Sequence, residues 1–110
     1  MKKNVLVTGG LGLLGKPLIS FLEKKNFNVF VLDKSKNQKR NKLIKKNKIS
    51  FIYGNFQNKP LLKKIIKKKK IKIIFHTGAI TQVLEGLRDP YKTYKNNIMG
   101  TINLLELIRE

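Results

Sequence analysis

The chain has 110 residues, 41% of them apolar, and carries 25 Lys and Arg against 6 Asp and Glu, a formal net charge of +19. That length holds one domain; with no cysteine there is no disulfide framework or thiolate chemistry, and the single histidine, His76, cannot build a metal site alone. No apolar run approaches the roughly 20 residues of a bilayer span, and the N-terminal apolar run is too short for a signal peptide, so a cytoplasmic chain without a membrane partner is expected.

Asn4–Thr8 (NVLVT) predicts a short buried strand. Gly12–Asn26 then places apolar residues at Leu14, Leu18, Ile19 and Leu22, the spacing of a helix, with Pro17 in its first turn where a missing N–H is tolerated. Phe27–Asp33 predicts a second strand that ends on a carboxylate. Lys34–Lys48 is polar and basic, with only Leu43 and Ile44 to pack, and reads as a poorly anchored helix or a loop. Ile49–Asn55 predicts a third strand.

Asn58 then stands as an N-cap, with Pro60 early in a helix whose apolar stripe is Leu61, Leu62, Ile65 and Ile66. Lys67–Lys70 read as its solvated end, where positive charge suits the helix dipole. Ile71–His76 predicts a fourth strand, and Thr77–Arg88 a loop. Asp89 as N-cap and Pro90 at the first helical position start the last helix, with Ile98, Ile102, Leu105 and Ile108 expected as its buried face.

Strands and helices alternate, and the strands are near-continuous apolar runs. This predicts an α/β fold: a Rossmann-type, doubly wound parallel sheet, incomplete, with about four strands and flanking helices. Right-handed crossovers give the strand order 3-2-1-4, with strand 4 at an edge. An exposed edge implies modest stability or self-association.

The stretch TGGLGLLG spaces its glycines as Gly9-x-x-Gly12-x-x-Gly15, with Gly10 between. A strand precedes it, a helix follows, and Asp33 closes the next strand 18 residues after Gly15, about the distance of a dinucleotide fingerprint. A tight strand-to-helix turn needs positive φ. A pyrophosphate needs bare backbone to approach and free N–H groups at a helix start. The last glycine is expected to let the helix lie close on the sheet. Asp33 would accept hydrogen bonds from the adenosine ribose, favouring NAD over NADP, although Lys34 and Lys36 could offset its repulsion of a 2′-phosphate.

Four stretches resemble the extended short-chain dehydrogenase/reductase family, the NAD-dependent epimerases and dehydratases of sugar nucleotides. VTGGLGLLG is similar to that family's TGxxGxxG loop, and YGNFQN stands where Gly-Asp-apolar is usual. IIFHTGAITQV is similar to its strand ending in His-x-Ala-Ala, and DPYKTYKNNIMGTINLLE to its helix carrying Asn-apolar-x-Gly-Thr. The last two lean towards nucleoside-diphosphate-glucose 4,6-dehydratases.

The resemblance implies that Gly9, Gly12 and Gly15 shape a pyrophosphate site and that Leu13 and Leu14 supply backbone at the helix start. It implies that Asp33 holds the adenosine ribose and that Asn55 and Phe56 line the adenine pocket, with Asn55 in place of the usual aspartate. Thr77, Gly78 and Ala79 would pass the phosphates and the nicotinamide-side ribose, and Asn97 would brace the nicotinamide half. It further implies a homodimeric complete enzyme that takes a nucleotide sugar and moves hydride transiently at a sugar carbon.

The family's catalytic Tyr-x-x-x-Lys falls well after that asparagine. Tyr91-x-x-x-Lys95 precedes Asn97 and so reads as a decoy, and His76 reads as a structural hydrogen-bonder rather than a catalyst. The expectation is therefore the NAD(P)-binding N-terminal portion of such an enzyme, spanning 1–110, without its catalytic region. The alternatives are a non-catalytic NAD(P)-binding regulatory module and a basic nucleic-acid-binding fragment. Against the latter, only Arg40, Arg88 and Arg109 of the 25 basic residues are arginine, the usual reader of guanine edges. Lys, Asn and Ile share A/T-rich codons, so composition alone accounts for the surplus, and no specific nucleic-acid partner is expected.

Overall fold

The computed structural model describes residues 2–10, 12–34, 49–79 and 83–110. Four strands, β1 (Asn4–Thr8), β2 (Asn28–Asp33), β3 (Ser50–Tyr53) and β4 (Ile73–His76), form one sheet in the order β3-β2-β1-β4. All three pairings are parallel, with Val5 opposite Val29 and Ile73, and Val31 opposite Phe51. The predicted strand order and fold class are those observed. Each of the last three strands is shorter than its predicted range, although backbone hydrogen bonds such as Lys72 N–H to Asn4 O and Gly54 N–H to Asp33 O continue past the strand ends. The expected element at Lys34–Lys48 falls, from Ser35 on, outside the described residues.

Helices cover both faces. α1 (Gly15–Lys24) lies on one, and α2 (Lys59–Lys68) with α5 (Gly100–Arg109) on the other. Side chains alternate along a strand, and β1 shows the consequence. Val5 and Val7 pack with Ile19 and Leu22 of α1, whereas Leu6 packs with Leu62 and Ile65 of α2 and Leu104 and Leu107 of α5. All three β1 residues are fully buried, which is why this strand reads as an unbroken apolar run.

Local chemistry starts two helices. Asn58 Oδ1 accepts the Leu61 N–H at 3.1 Å and Asp89 Oδ1 the Lys92 N–H at 3.0 Å, each with a proline in the first turn. Part of the expected Thr77–Arg88 loop is instead a short helix, α3 (Val83–Arg88). After it, α4 (Pro90–Tyr94) runs through one π-helical turn (Lys95–Met99) into α5.

The expected inner face of the last helix is overturned. Ile98, Ile102, Leu105 and Ile108 are exposed, and Asn96, Gly100, Leu104 and Leu107 are buried. The helix carries two apolar stripes. Packing chose the one containing Gly100, because only a residue without Cβ fits against the Phe56 ring.

Candidate functional site

The C-terminal ends of the four strands meet around a cleft of about 360 Å³. The chain reverses its direction of winding between β1 and β4, and such a switch point opens a crevice outside the strand ends. Gly9 and Gly12 supply one wall, Asp33 and Lys34 a second. Asn55 and Phe56 supply a third, and Thr77, Gly78 and Ala79 a fourth.

The glycines divide the work. Gly9 has φ +68°, and a Cβ there would fall 2.7 Å from Gly78 N and Cα, so the two loops touch backbone to backbone. Among the described residues a Cβ on Gly12 would meet Gly9 O alone, at 3.3 Å, on a loop that lines the cleft. Gly15 does not let α1 down onto the sheet as expected. A Cβ there would overlap the Gly10 backbone, and it is Gly10 whose Cβ would overlap Val31 of β2. Close packing of helix on loop and of loop on sheet therefore falls to two residues.

The start of α1 suits an anion. Its first turn has no acidic residue, and no side chain caps it. Its leading N–H groups thus lack the usual side-chain acceptor, and the dipole end is positive. Leu13 and Leu14 are exposed and outside the cleft, in keeping with a backbone contribution only. Asp33 ends β2, and its carbonyl accepts the Gly54 N–H at 3.0 Å.

Asn55 and Phe56 are placed differently from each other. Asn55 is exposed, and its Oδ1 takes the Gln57 N–H at 2.9 Å, so part of its acceptor capacity serves the turn. Phe56 is buried and wedges between Gly78, Gly100 and His76. Only its margin reaches the cleft.

Asn97 does not line the cleft; its neighbour Asn96 does. Asn96 is buried, accepts from Gln57 Nε2 at 2.6 Å and donates to Asn97 Oδ1 at 2.9 Å. Spacing puts Asn96, Gly100, Leu104 and Leu107 on one helical face but does not say which face is buried. Leu32 and Gly54 also line the cleft, as does Lys34 beside Asp33. Tyr91 and Lys95 are exposed and do not reach it.

His76 is half-buried, and burial holds its imidazole below the ordinary pKa. Nδ1 lies 2.6 Å from Thr8 Oγ1 and Nε2 3.1 Å from Thr101 Oγ1. Among the described residues no cluster of His, Cys, Asp or Glu forms a metal site, and no helix is long and apolar enough to cross a membrane.

Residues 5–110 match the model of the NAD dependent epimerase/dehydratase family. The UDP-glucose 4-epimerase of Mycoplasma genitalium is 33% identical over 97% of this chain, which spans 32% of that relative. The dTDP-D-glucose 4,6-dehydratase of Dictyostelium discoideum is 36% identical over 94% of the chain, which spans 25% of it. Among solved structures, the UDP-glucose 4-epimerase from Brucella ovis in complex with NAD superposes with a TM-score of 0.83 at 28% identity. That match covers 97% of this chain and 32% of the other. The chain therefore spans about a third or less of these relatives. With the family model covering nearly its whole length, the glycine loop, strand order and cleft have a common explanation: this chain belongs to the NAD dependent epimerase/dehydratase family.

Proposed function

We propose that this chain binds NAD in the cleft and is the cofactor-holding portion of an enzyme that epimerises or dehydrates a nucleotide sugar. The carrying observation is the bare backbone at Gly12, open to the cleft between the uncapped start of α1 and the Asp33 carboxylate. A Cβ-free approach, a positive helix end and a terminal carboxylate are the groups a pyrophosphate and a ribose diol need.

In this reading the start of α1 carries the pyrophosphate and Asp33 accepts from the adenosine ribose hydroxyls, which favours NAD over NADP. Gly9 and Gly15 shape the loop, with Leu13 and Leu14 contributing backbone. Asn55 and the margin of Phe56 flank the adenine. Thr77, Gly78 and Ala79 pass the second ribose, and Asn97 acts by holding Asn96. NAD, when bound, supplies a reversible hydride acceptor. The same reading assigns the catalytic acid and base to residues outside 1–110; the greater length of the relatives and the distance of Tyr91 and Lys95 from the cleft support it. The complete enzyme is read as cytoplasmic and as a homodimer, the exposed Ile98–Ile102–Leu105 stripe supporting the second of these.

Calorimetric titration tests the reading. The folded chain should take up NAD, and Gly12→Val should abolish uptake while the fold persists. No heat at millimolar NAD from a chain shown to be folded would overturn it.

A further inference from the structure

Thr8 is fully buried, yet it carries a hydroxyl one residue before the glycine loop. That hydroxyl lies 2.6 Å from His76 Nδ1 and 3.2 Å from Gly78 N. Beyond the ring, His76 Nε2 lies 3.1 Å from Thr101 Oγ1, which donates to the Asn97 carbonyl at 2.6 Å.

The protons of this chain of groups can be assigned. The single hydroxyl proton of Thr101 goes to the Asn97 carbonyl, so towards His76 its oxygen accepts and Nε2–H donates. A neutral ring protonated at Nε2 has a bare Nδ1. Nδ1 therefore accepts the Thr8 O–H, and the Thr8 oxygen accepts the Gly78 N–H. Each proton then has one acceptor.

We infer that His76 is a positioning residue: in its neutral, Nε2-protonated form it clamps the Gly78 amide to β1 through Thr8 and ties the π-helical turn to β4 through Thr101, setting the gap between the glycine loop and the 77–79 wall. There is no slack in that gap, because a Cβ on Gly9 would already stand 2.7 Å from Gly78 N. A proton added at Nδ1 removes the acceptor of the Thr8 hydroxyl, and no other acceptor serves it among the hydrogen bonds of the described residues. A buried hydroxyl without an acceptor is costly, so the clamp is strongest with a neutral ring; a Thr8 rotation that finds its proton a new acceptor takes the oxygen off the Gly78 N–H.

Among the described residues the groups against the ring are Thr8 from β1, the Phe56 ring from the turn after β3, and Thr101 with the Asn97 carbonyl from the last helical segment. None of these carries a charge, and burial alone depresses the His76 pKa. The clamp stands on hydrogen-bond geometry; only its effect on ligand affinity rests on the NAD reading.

The test uses the full chain. At pH 7.5 the imidazole ¹⁵N spectrum should show the proton on Nε2; a proton on Nδ1 overturns the inference. Amide exchange of Gly78 should quicken by about tenfold in His76→Phe and in Thr8→Val, the worth of one hydrogen bond. The Val7 amide in the middle of β1 should stay as protected as before, whereas a merely structural loss would speed both. His76→Gln, which offers one acceptor and one donor, should restore Gly78. Thr8→Val carries the test if His76→Phe does not fold. Unchanged Gly78 exchange in Thr8→Val overturns the clamp. NAD affinity should also fall as pH drops from 8 to 5 in the wild type and not in His76→Gln. If NAD fails to bind at any pH while Gly78 responds as stated, the cofactor reading fails and the clamp stands.

Discussion

The Phe56 ring meets the His76 imidazole edge-on, with centroids 4.7 Å apart and planes 77° apart. A Cβ on Gly78 would fall 2.8 Å from the Phe56 Cδ1, and one on Gly100 would overlap its Cε2. One ring thus fills the space that two glycines leave, joining the turn after β3, the wall after β4 and the last helix. Gly100→Ala should cost about 1–3 kcal/mol, the usual penalty of overpacking. In a Phe56→Leu background the same change should cost less, since a smaller side chain yields. Urea denaturation of the four proteins of this cycle checks it, and additive costs would contradict the wedge.

The two stripes of α5 should respond oppositely. Leu104 is 3% exposed and Leu105 60%. Leu104→Ala should destabilise by about 2–5 kcal/mol. Leu105→Lys should change stability by less than about 0.5 kcal/mol and reduce any self-association seen by light scattering. A large loss of stability from Leu105→Lys would show that the outer stripe is covered within the monomer.

Each helix cap should be separable from the core. Asn58→Ala and Asp89→Ala each remove an acceptor for one orphan N–H and should cost about 1 kcal/mol. Thermal melts of both variants measure this, with Asn58→Gly expected to lose only a few tenths of a kcal/mol.

His76 makes stability depend on pH in a defined direction. Its folded pKa lies below 6.5, the value it takes when unfolded, because burial disfavours the cation. Below pH 6.5 the unfolded chain therefore binds more protons than the folded one. The contribution is complete above pH 6.5 and is lost as pH falls from there through the folded pKa. Denaturation midpoints compared between wild type and His76→Gln from pH 8 to 5 should diverge only on the acid side.

Cofactor preference should turn on one carboxylate. Asp33→Ala should weaken NAD binding by about 1.5–3 kcal/mol, the worth of hydrogen bonds to a charged group. It should weaken NADP less, since the group that repels a 2′-phosphate is gone. Calorimetry with both dinucleotides checks this, and equal losses would place the ribose elsewhere.

Local chemistry made much of this protein legible. The unbroken apolar run of β1 announces a strand covered on both faces, and Asn58 and Asp89 announce helix starts through side-chain oxygens that reach N–H groups three residues on. The glycine spacing and the carboxylate ending β2 mark one edge of the cleft from residues close in sequence. What periodicity misjudged was α5, where two apolar stripes compete and spacing cannot rank them.

By itself, then, the sequence determined the alternation of strand and helix and the loop at Gly9, which follow from backbone freedom, capping and apolar runs within one or two elements, and the parallel order β3-β2-β1-β4, which follows from that alternation with right-handed crossovers. Only the tertiary structure decided that Asn96 rather than Asn97 faces the cleft, that Phe56 is a wedge, and that Thr8, His76, Gly78 and Thr101 form one hydrogen-bonded line. Those outcomes depend on contacts between residues 20 to 70 positions apart, from Phe56 and His76 to Thr8 and Gly78. Such contacts are set by which surfaces pack first and closest, and no local pattern records that choice.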